Sequence, residues 1–322
     1  MEQLTAGQKL DAAFEALGQE KSLSFELDLD TDARTLKALD ASSDPEPGDE
    51  IPDEVADLFS GVKMSVTVQS KKPLESSEEK DLVGVAVKVG TEEGDLVEYR
   101  LVGDDLYIRT DATTLGEAMG FPLPSADDLP PEADGLKKVL AGEWVTLDTK
   151  EMEDATAGLG GEEFGEEPSA EPSLDARTQK KLVKALRSTI AREVEFRTSE
   201  GDDGAEHVTA TAPFRTLVAQ LVNEIEPLAA KFPPGMEPPT AKDLKDAPDA
   251  EVTADFTLND GELTEVYVDL AKLAENAEVK KLGLKVSFDD GGTVTAPSGA
   301  TALDIEDLMG GFAGAMTGAE DF

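Results

Sequence analysis

The sequence contains no cysteine and a single histidine, His207, among 322 residues. Without thiols there is no disulfide framework and no thiolate chemistry. One imidazole cannot build a zinc site that relies on several. Aromatics are scarce, at 12 Phe, 3 Tyr and 1 Trp. Positive charge is short as well: 29 Lys and Arg stand against 70 Asp and Glu, for a net charge of −41. That balance argues against nucleic-acid binding, because a phosphate backbone is neutralised by Lys and Arg. It argues equally against docking on anionic lipid through charge alone. No apolar run approaches the roughly 20 residues that cross a bilayer. The opening MEQLTAGQKL shows no signal peptide. High like charge keeps a chain soluble, and it suits a secreted protein or one from a salty environment.

Residues suited to catalysis are correspondingly thin. No G-x-S-x-G elbow occurs, and GLGGEEFG follows no strand pattern and opens no helix, so it is no phosphate cradle. His207 sits in AEHVTATAPF, an alternating stretch that places it on a solvent-facing strand surface. Asp28, Asp30 and Asp32 in DLDTD have the alternate spacing of a calcium loop. The glycine such a loop needs is replaced by Ala33, and the stretch reads as a strand end with a solvated face. The expectation is no cofactor and no resident metal.

What the sequence has in quantity is alternation. In KSLSFELDLDTD, Leu23, Phe25, Leu27 and Leu29 alternate with Ser22, Ser24, Glu26, Asp28 and Asp30. One face is apolar and the other acidic, the period of a half-buried strand. The same pattern recurs in GVKMSVTVQS, LVGVAVKVG, LVEYRLV, DLYIRT, EWVTLDT, EVTADFTL, ELTEVYVDL and KLGLKVSF. Gly103-Asp104-Asp105 and Asn259-Asp260-Gly261 mark tight turns between neighbouring strands.

Helical spacing predicts a helix over Leu4–Leu17 capped by Thr5, one around Asp175–Ile190, and a strongly amphipathic one through Leu217, Leu221, Ile225 and Leu228. A further short helix is expected in ATTLGEAMG, and a closing one over about Ala302–Phe312. The stretch from Ala33 to Glu54 reads as a loop, with one helical turn around Val55–Phe59. Strands that follow one another through short turns imply an antiparallel sheet, and on the order of ten of them must curl to cover one apolar face. The fold class expected is therefore α+β, a strongly curled antiparallel sheet, or open half-barrel, wrapping amphipathic helices. The chain reads as a single domain in two similar halves, 1–151 and 175–322, joined by an acidic Gly- and Glu-rich loop over 152–174.

Several phrases carry a family likeness. AEVTADFTLNDGELTEVYVDL followed by LKVSFDDGGTVTAPSGATALDIEDLM resembles the ending of the actinobacterial LppX/LprG-type lipoproteins. YRLVGDDLYIR and GEWVTLDT are similar to phrases in the first half of that family. The resemblance implies a LolA-like fold with an apolar cavity between sheet and helices. It also implies a protein held outside the cytoplasmic membrane by an acylated N-terminal cysteine. This sequence lacks that cysteine, so membrane contact is expected only through a lipid anchor not present in it.

The side chains expected to line the cavity are Leu23, Phe25, Leu27, Val66, Val68, Val85, Val87, Phe121, Leu217, Leu221, Phe256 and Val286. Small aliphatic walls suit alkyl chains, because such contact is non-directional and scales with area. They equally suit a filled core. The loop Met119–Leu136, with Met119, Phe121 and Leu123 among prolines, is a candidate mouth or a pin onto the core. Three functions stay open: a non-enzymatic carrier of a lipid or lipidated molecule, an envelope protein-interaction module with a filled core, and a carboxylate-based hydrolase.

Overall fold

The computed structural model describes residues 5–42, 45, 50–92, 94–118, 134–150, 189–190, 192–201, 204–225, 244, 247–274 and 279–303. Helix α1 (Ala6–Gln19) starts where the sequence puts its cap: Thr5 Oγ1 accepts from Gln8 N at 3.3 Å, and Gln8 Oε1 accepts from Thr5 N at 2.9 Å. This reciprocal box satisfies two amides that a helix start otherwise leaves bare. The alternating stretches become β1 (Ser22–Asp30), β2 (Lys63–Ser70), β3 (Leu82–Thr91), β4 (Gly94–Val102), β5 (Asp105–Thr110), β6 (Val145–Asp148), β7 (Glu195–Glu200), β8 (Glu206–Pro213), β9 (Glu251–Asn259), β10 (Glu262–Asp269) and β11 (Gly283–Asp290).

The stretch after β1 departs from expectation. Instead of a loop with one turn, it folds as α2 (Ala33–Ser42) and α3 (Asp53–Gly61), packed on each other. The cause is a cap: Asp32 Oδ1 accepts from Thr35 N at 2.7 Å, which turns the end of β1 into a helix start. That hydrogen bond holds the Asp32 carboxyl below its ordinary value. The prolines lie outside both helices, with Pro52 preceding α3. Helices α4 (Ala112–Ala118), α5 (Asp134–Leu140) and α6 (Phe214–Ile225) follow further along the chain. The helix expected at Asp175–Ile190, apart from its last two residues, and the loop at 152–174 lie outside them.

At the end of the described chain, Thr301–Ala302 forms β12, parallel to Val145 and Thr146 of β6; the helix expected over about Ala302–Phe312 lies, apart from its first two residues, outside the described residues. The result is one 12-stranded sheet, in the order β12-β6-β5-β4-β3-β2-β1-β11-β10-β9-β8-β7. Every neighbour pair but β12–β6 is antiparallel, and the sheet ends in two separate edges, β12 and β7, so it is not closed. Two runs of sequential strands, β2 to β6 and β7 to β11, meet at β1, which pairs with β2 on one side and β11 on the other. A twisted sheet of this width curls rather than staying flat.

Residues 291–300 carry the chain from β11 to the far edge. Ser22 Oγ donates to Gly292 O at 2.9 Å, Val294 N donates to Gln69 Oε1 at 3.1 Å, and Arg100 Nη1 donates to Thr295 O at 3.2 Å. This strap crosses the polar side of β1, β2, β3 and β4. It needs Gly84 beneath it, since a Cβ there would stand 2.8 Å from the Val294 Cβ. The Asn259-Asp260-Gly261-Glu262 hairpin closes as its sequence predicts, with Asp260 at φ 51° and Gly261 at φ 89°. Both central residues are left-handed, as the turn that matches strand twist requires. Between β2 and β3, buried Ser70 donates to Asp81 O at 3.0 Å, and Asp81 pairs with Lys72 at 2.9 Å.

Two outcomes follow. Replacing Gly261 with valine should destabilise the protein by about 1–2 kcal/mol in urea unfolding, the cost of a left-handed β-branched residue. Asp81 is held below the usual carboxylate range, first by its bond from Lys72 and then by the amide of Glu78. Its contribution is therefore complete above the ordinary carboxylate pKa and is lost as pH falls through the lowered one. The Asp81→Asn variant should be less stable at pH 7 than the parent, and the gap in urea midpoint should shrink at pH 2–3.

Candidate functional site

Strand register sorts the sheet into two faces, because residues directly opposite each other point the same way. On one face apolar side chains form rows across many strands. One row runs Val145, Ile108, Tyr99, Val87, Val66, Phe25, Phe288. A second runs Leu147, Leu106, Leu101, Val85, Val68, Leu23. A third runs Val97, Val89, Met64, Leu27, Val286, Val266, Phe256, Val208. The other face carries Ser24, Glu26, Thr67, Lys285, Tyr267, Asp255 and their neighbours.

Burial along the apolar face is uneven. Under α1, on the β8–β11 side, Leu10, Ala13, Val208, Leu258 and Leu263 form a sealed cluster, with Phe256, Val266 and Phe288 packed against it. Phe14 meets Phe256 edge-on, ring centroids 6.2 Å apart at 80°. The ion pair between Lys9 and Glu206 tethers α1 over β8. At the opposite edge Val145, Leu147 and Leu303 form a second sealed cluster, backed by Ile108 and Val139. Between them, on β1 to β4, the rows named above contain no fully buried apolar side chain. All but Tyr99, which is 41 % exposed, are half-buried.

The structure thus gathers nine of the predicted lining residues on this face: Leu23, Phe25, Leu27, Val66, Val68, Val85, Val87, Phe256 and Val286. Phe256 differs from the rest in lying in the sealed zone beside α1. Leu217 and Leu221 sit half-buried on α6, which packs on β8, so no described contact brings them to the β1–β3 group. Phe121 and the loop 119–133 lie outside the described residues.

On the polar face His207 lies in β8 as expected, its Nδ1 2.6 Å from Asp255 Oδ1. Thr209 donates to the other carboxylate oxygen at 3.1 Å. The hydroxyl therefore meets the acid and not the imidazole, the reverse of a nucleophile–base arrangement. Asp28, Asp30 and Asp32 do not converge on a cation. Asp28 pairs with Lys63 at 3.8 Å, Asp30 with Lys281 at 2.6 Å and with the Tyr267 hydroxyl at 3.1 Å, and Asp32 caps α2. Burial, and then the Asp30 carboxylate, push the Tyr267 phenol above its ordinary value. Lys281 is raised by the same carboxylate and Lys285 by Glu265.

Two features were not foreseen in the sequence. Two guanidinium groups lie against the Trp144 ring, Arg100 at 4.9 Å and Arg109 at 5.1 Å from its centroid. Both arginines bond buried Glu98, Arg100 at 2.7 and 2.9 Å and Arg109 at 2.9 Å. This cluster ties β4, β5 and the start of β6 together under the strap. The second feature is a cleft of about 560 Å³ where α3 and α4 meet the ends of β1, β2 and β3. Leu29 and Leu58 line it, with Lys63, Lys281 and four carboxylates at its rim. No sequence signal predicts either, since each joins residues from distant segments.

An unsealed central face has a measurable consequence. Leu258→Ala, in the sealed cluster, should cost about 2–5 kcal/mol in urea unfolding. Leu27→Ala, on the half-buried central strand, should cost less than half as much; equal losses would mean that the central face is packed like the rest of the core.

No protein-family model matches the chain, and no curated protein matches it. Among solved structures, the fold is similar to that of the Mycobacterium tuberculosis lipoprotein LppX, at 10 % identity and a TM-score of 0.32 over 89 % of this chain and 96 % of that one. It is also similar to LprF from Mycobacterium bovis, at 9 % identity and a TM-score of 0.36 over 92 % of this chain and 97 % of that one. This is a likeness of fold, and it assigns no ligand and no residue role to this chain.

Proposed function

We propose that this protein is a non-catalytic, extracytoplasmic lipoprotein-like protein that binds or carries a lipid or acylated amphiphile against the apolar face of its sheet. The observation that carries this reading is the half-buried central zone. Apolar rows continue across β1 to β4 without sealing, between two clusters that are sealed. An apolar face left half-buried between sealed clusters is where an apolar partner would gain contact area. Walls of valine and leucine favour alkyl chains, for which contact is proportional to area and indifferent to direction. Leu23, Phe25, Leu27, Val66, Val68, Val85, Val87 and Val286 are the side chains assigned to the chain-binding zone.

The absence of catalysis in this reading rests on the placement of the chemistry-bearing groups. The His207–Asp255 pair stands on the polar face with its hydroxyl on the wrong partner. The charge of −41 and the lack of nucleic-acid or anionic-membrane surfaces fit a protein in the cell envelope or outside it, with any membrane contact made through a lipid anchor. The alternative is an envelope interaction module with a filled core. The sealed cluster under α1 favours it for the β8–β11 side. On that view the central zone docks an envelope protein instead of an alkyl chain.

Native mass spectrometry after incubation with a monoacyl lipid separates the two. A one-to-one adduct is expected, and it should weaken at least fivefold in Val66→Trp/Val87→Trp, which fills the zone, while the melting temperature stays within a few degrees. No adduct under conditions where the protein is folded would refute lipid binding.

A further inference from the structure

Resting on the reading just given, we infer that the cleft between α3 and the ends of β1–β3 holds the head of the bound amphiphile and favours heads without net negative charge. The cleft adjoins the chain-binding zone directly. Leu29, one of its walls, continues the apolar side of β1 beyond Leu27, and Leu58 faces in from α3. An alkyl chain lying along Leu23, Phe25 and Leu27 would reach the rim of the sheet at this point. At about 560 Å³ the space suits a polar head of a few to a dozen heavy atoms better than a second chain.

The charge of the rim decides the chemistry. Among the described residues that line it, two cations, Lys63 and Lys281, face four carboxylates, Asp28, Asp30, Asp57 and Glu92, a balance of 2 − 4 = −2. Each lysine already has an acid: Lys63 lies 3.8 Å from Asp28 and Lys281 lies 2.6 Å from Asp30. An anionic head would therefore have to displace an existing pair while meeting Asp57 and Glu92, both exposed at the entrance. A zwitterionic, uncharged or cationic head meets no such opposition, and its donors find carboxylate acceptors. The repulsion acts over a few ångströms near water, so it is modest and is screened by salt.

The test compares two lysophospholipids with the same acyl chain, lysophosphatidylcholine and lysophosphatidylglycerol, which share a phosphate and differ in net charge. Binding to the full chain is measured calorimetrically below the micelle threshold. Lysophosphatidylglycerol should bind roughly five- to tenfold more weakly at low salt, with the gap closing as salt is added. The variant D57K/E92K should abolish or invert the preference. E195K/E200K, the same charge change placed on the distant edge strand β7, should leave it unchanged. Equal binding, tighter binding of lysophosphatidylglycerol, or a gap altered equally by both variants would overturn the head-site assignment while leaving lipid binding intact. Failure of both lipids to bind the parent and D57K/E92K alike would remove lipid binding itself, and the head-site assignment with it.

Discussion

The pairing of β1 with β11 is the interaction on which the rest of the structure depends. It aligns Leu23 with Asp290 and Asp30 with Gly283, residues more than two-thirds of the chain apart. Each run of strands on either side pairs neighbours in chain order, β2 to β6 and β7 to β11. Only this pairing makes one sheet from two, and only it lets apolar rows cross from one run to the other, as the row from Val97 to Val208 does. Such a contact forms late and slowly, because the loop it closes is long. The register is nonetheless well specified. A slip of one residue would turn Leu23, Phe25, Leu27 and Leu29 to the acidic face and Glu26 and Asp28 to the apolar one.

The strap formed by 291–300 reinforces the same junction. It leaves β11 at the centre, crosses the polar side of four strands, and ends as β12 on the open edge of β6. Covering that edge protects backbone groups that would otherwise invite another chain. The Arg100–Trp144–Arg109 cluster and its buried Glu98 lie beneath this crossing, so the polar face of the first half is tied down by charge and hydrogen bonds. Among the described residues, the apolar rows on β1 to β4 stay half-buried, with Tyr99 exposed.

Much of this was legible in the sequence. The strand alternation, the Asn259-Asp260-Gly261 turn and the Thr5 cap are local signals, and each appears in the structure as written, because each depends on residues only a few positions apart. The solvent-facing place of His207 was equally readable from its neighbours. One reading failed for an identifiable reason. The polar, proline-bearing composition after β1 looked like a loop, yet Asp32 supplied a cap and α2 and α3 found each other to pack against. The pairing of Thr301–Ala302 with β6, a partner over 150 residues away, was likewise beyond any local signal.

The division between sequence and tertiary structure is therefore physical. By itself the sequence determined which side of each strand is apolar, where the chain turns, and that the protein carries a large negative charge, because alternation, turn chemistry and composition are properties of neighbours. Only the tertiary structure decided that two strand runs share one sheet and that α1 seals one side while β1 to β4 stay half-covered. It alone brought Leu29, Leu58, Asp57, Glu92 and Lys281 to one mouth. Those outcomes depend on which distant surfaces meet, and burial is a property of the meeting, not of the strand.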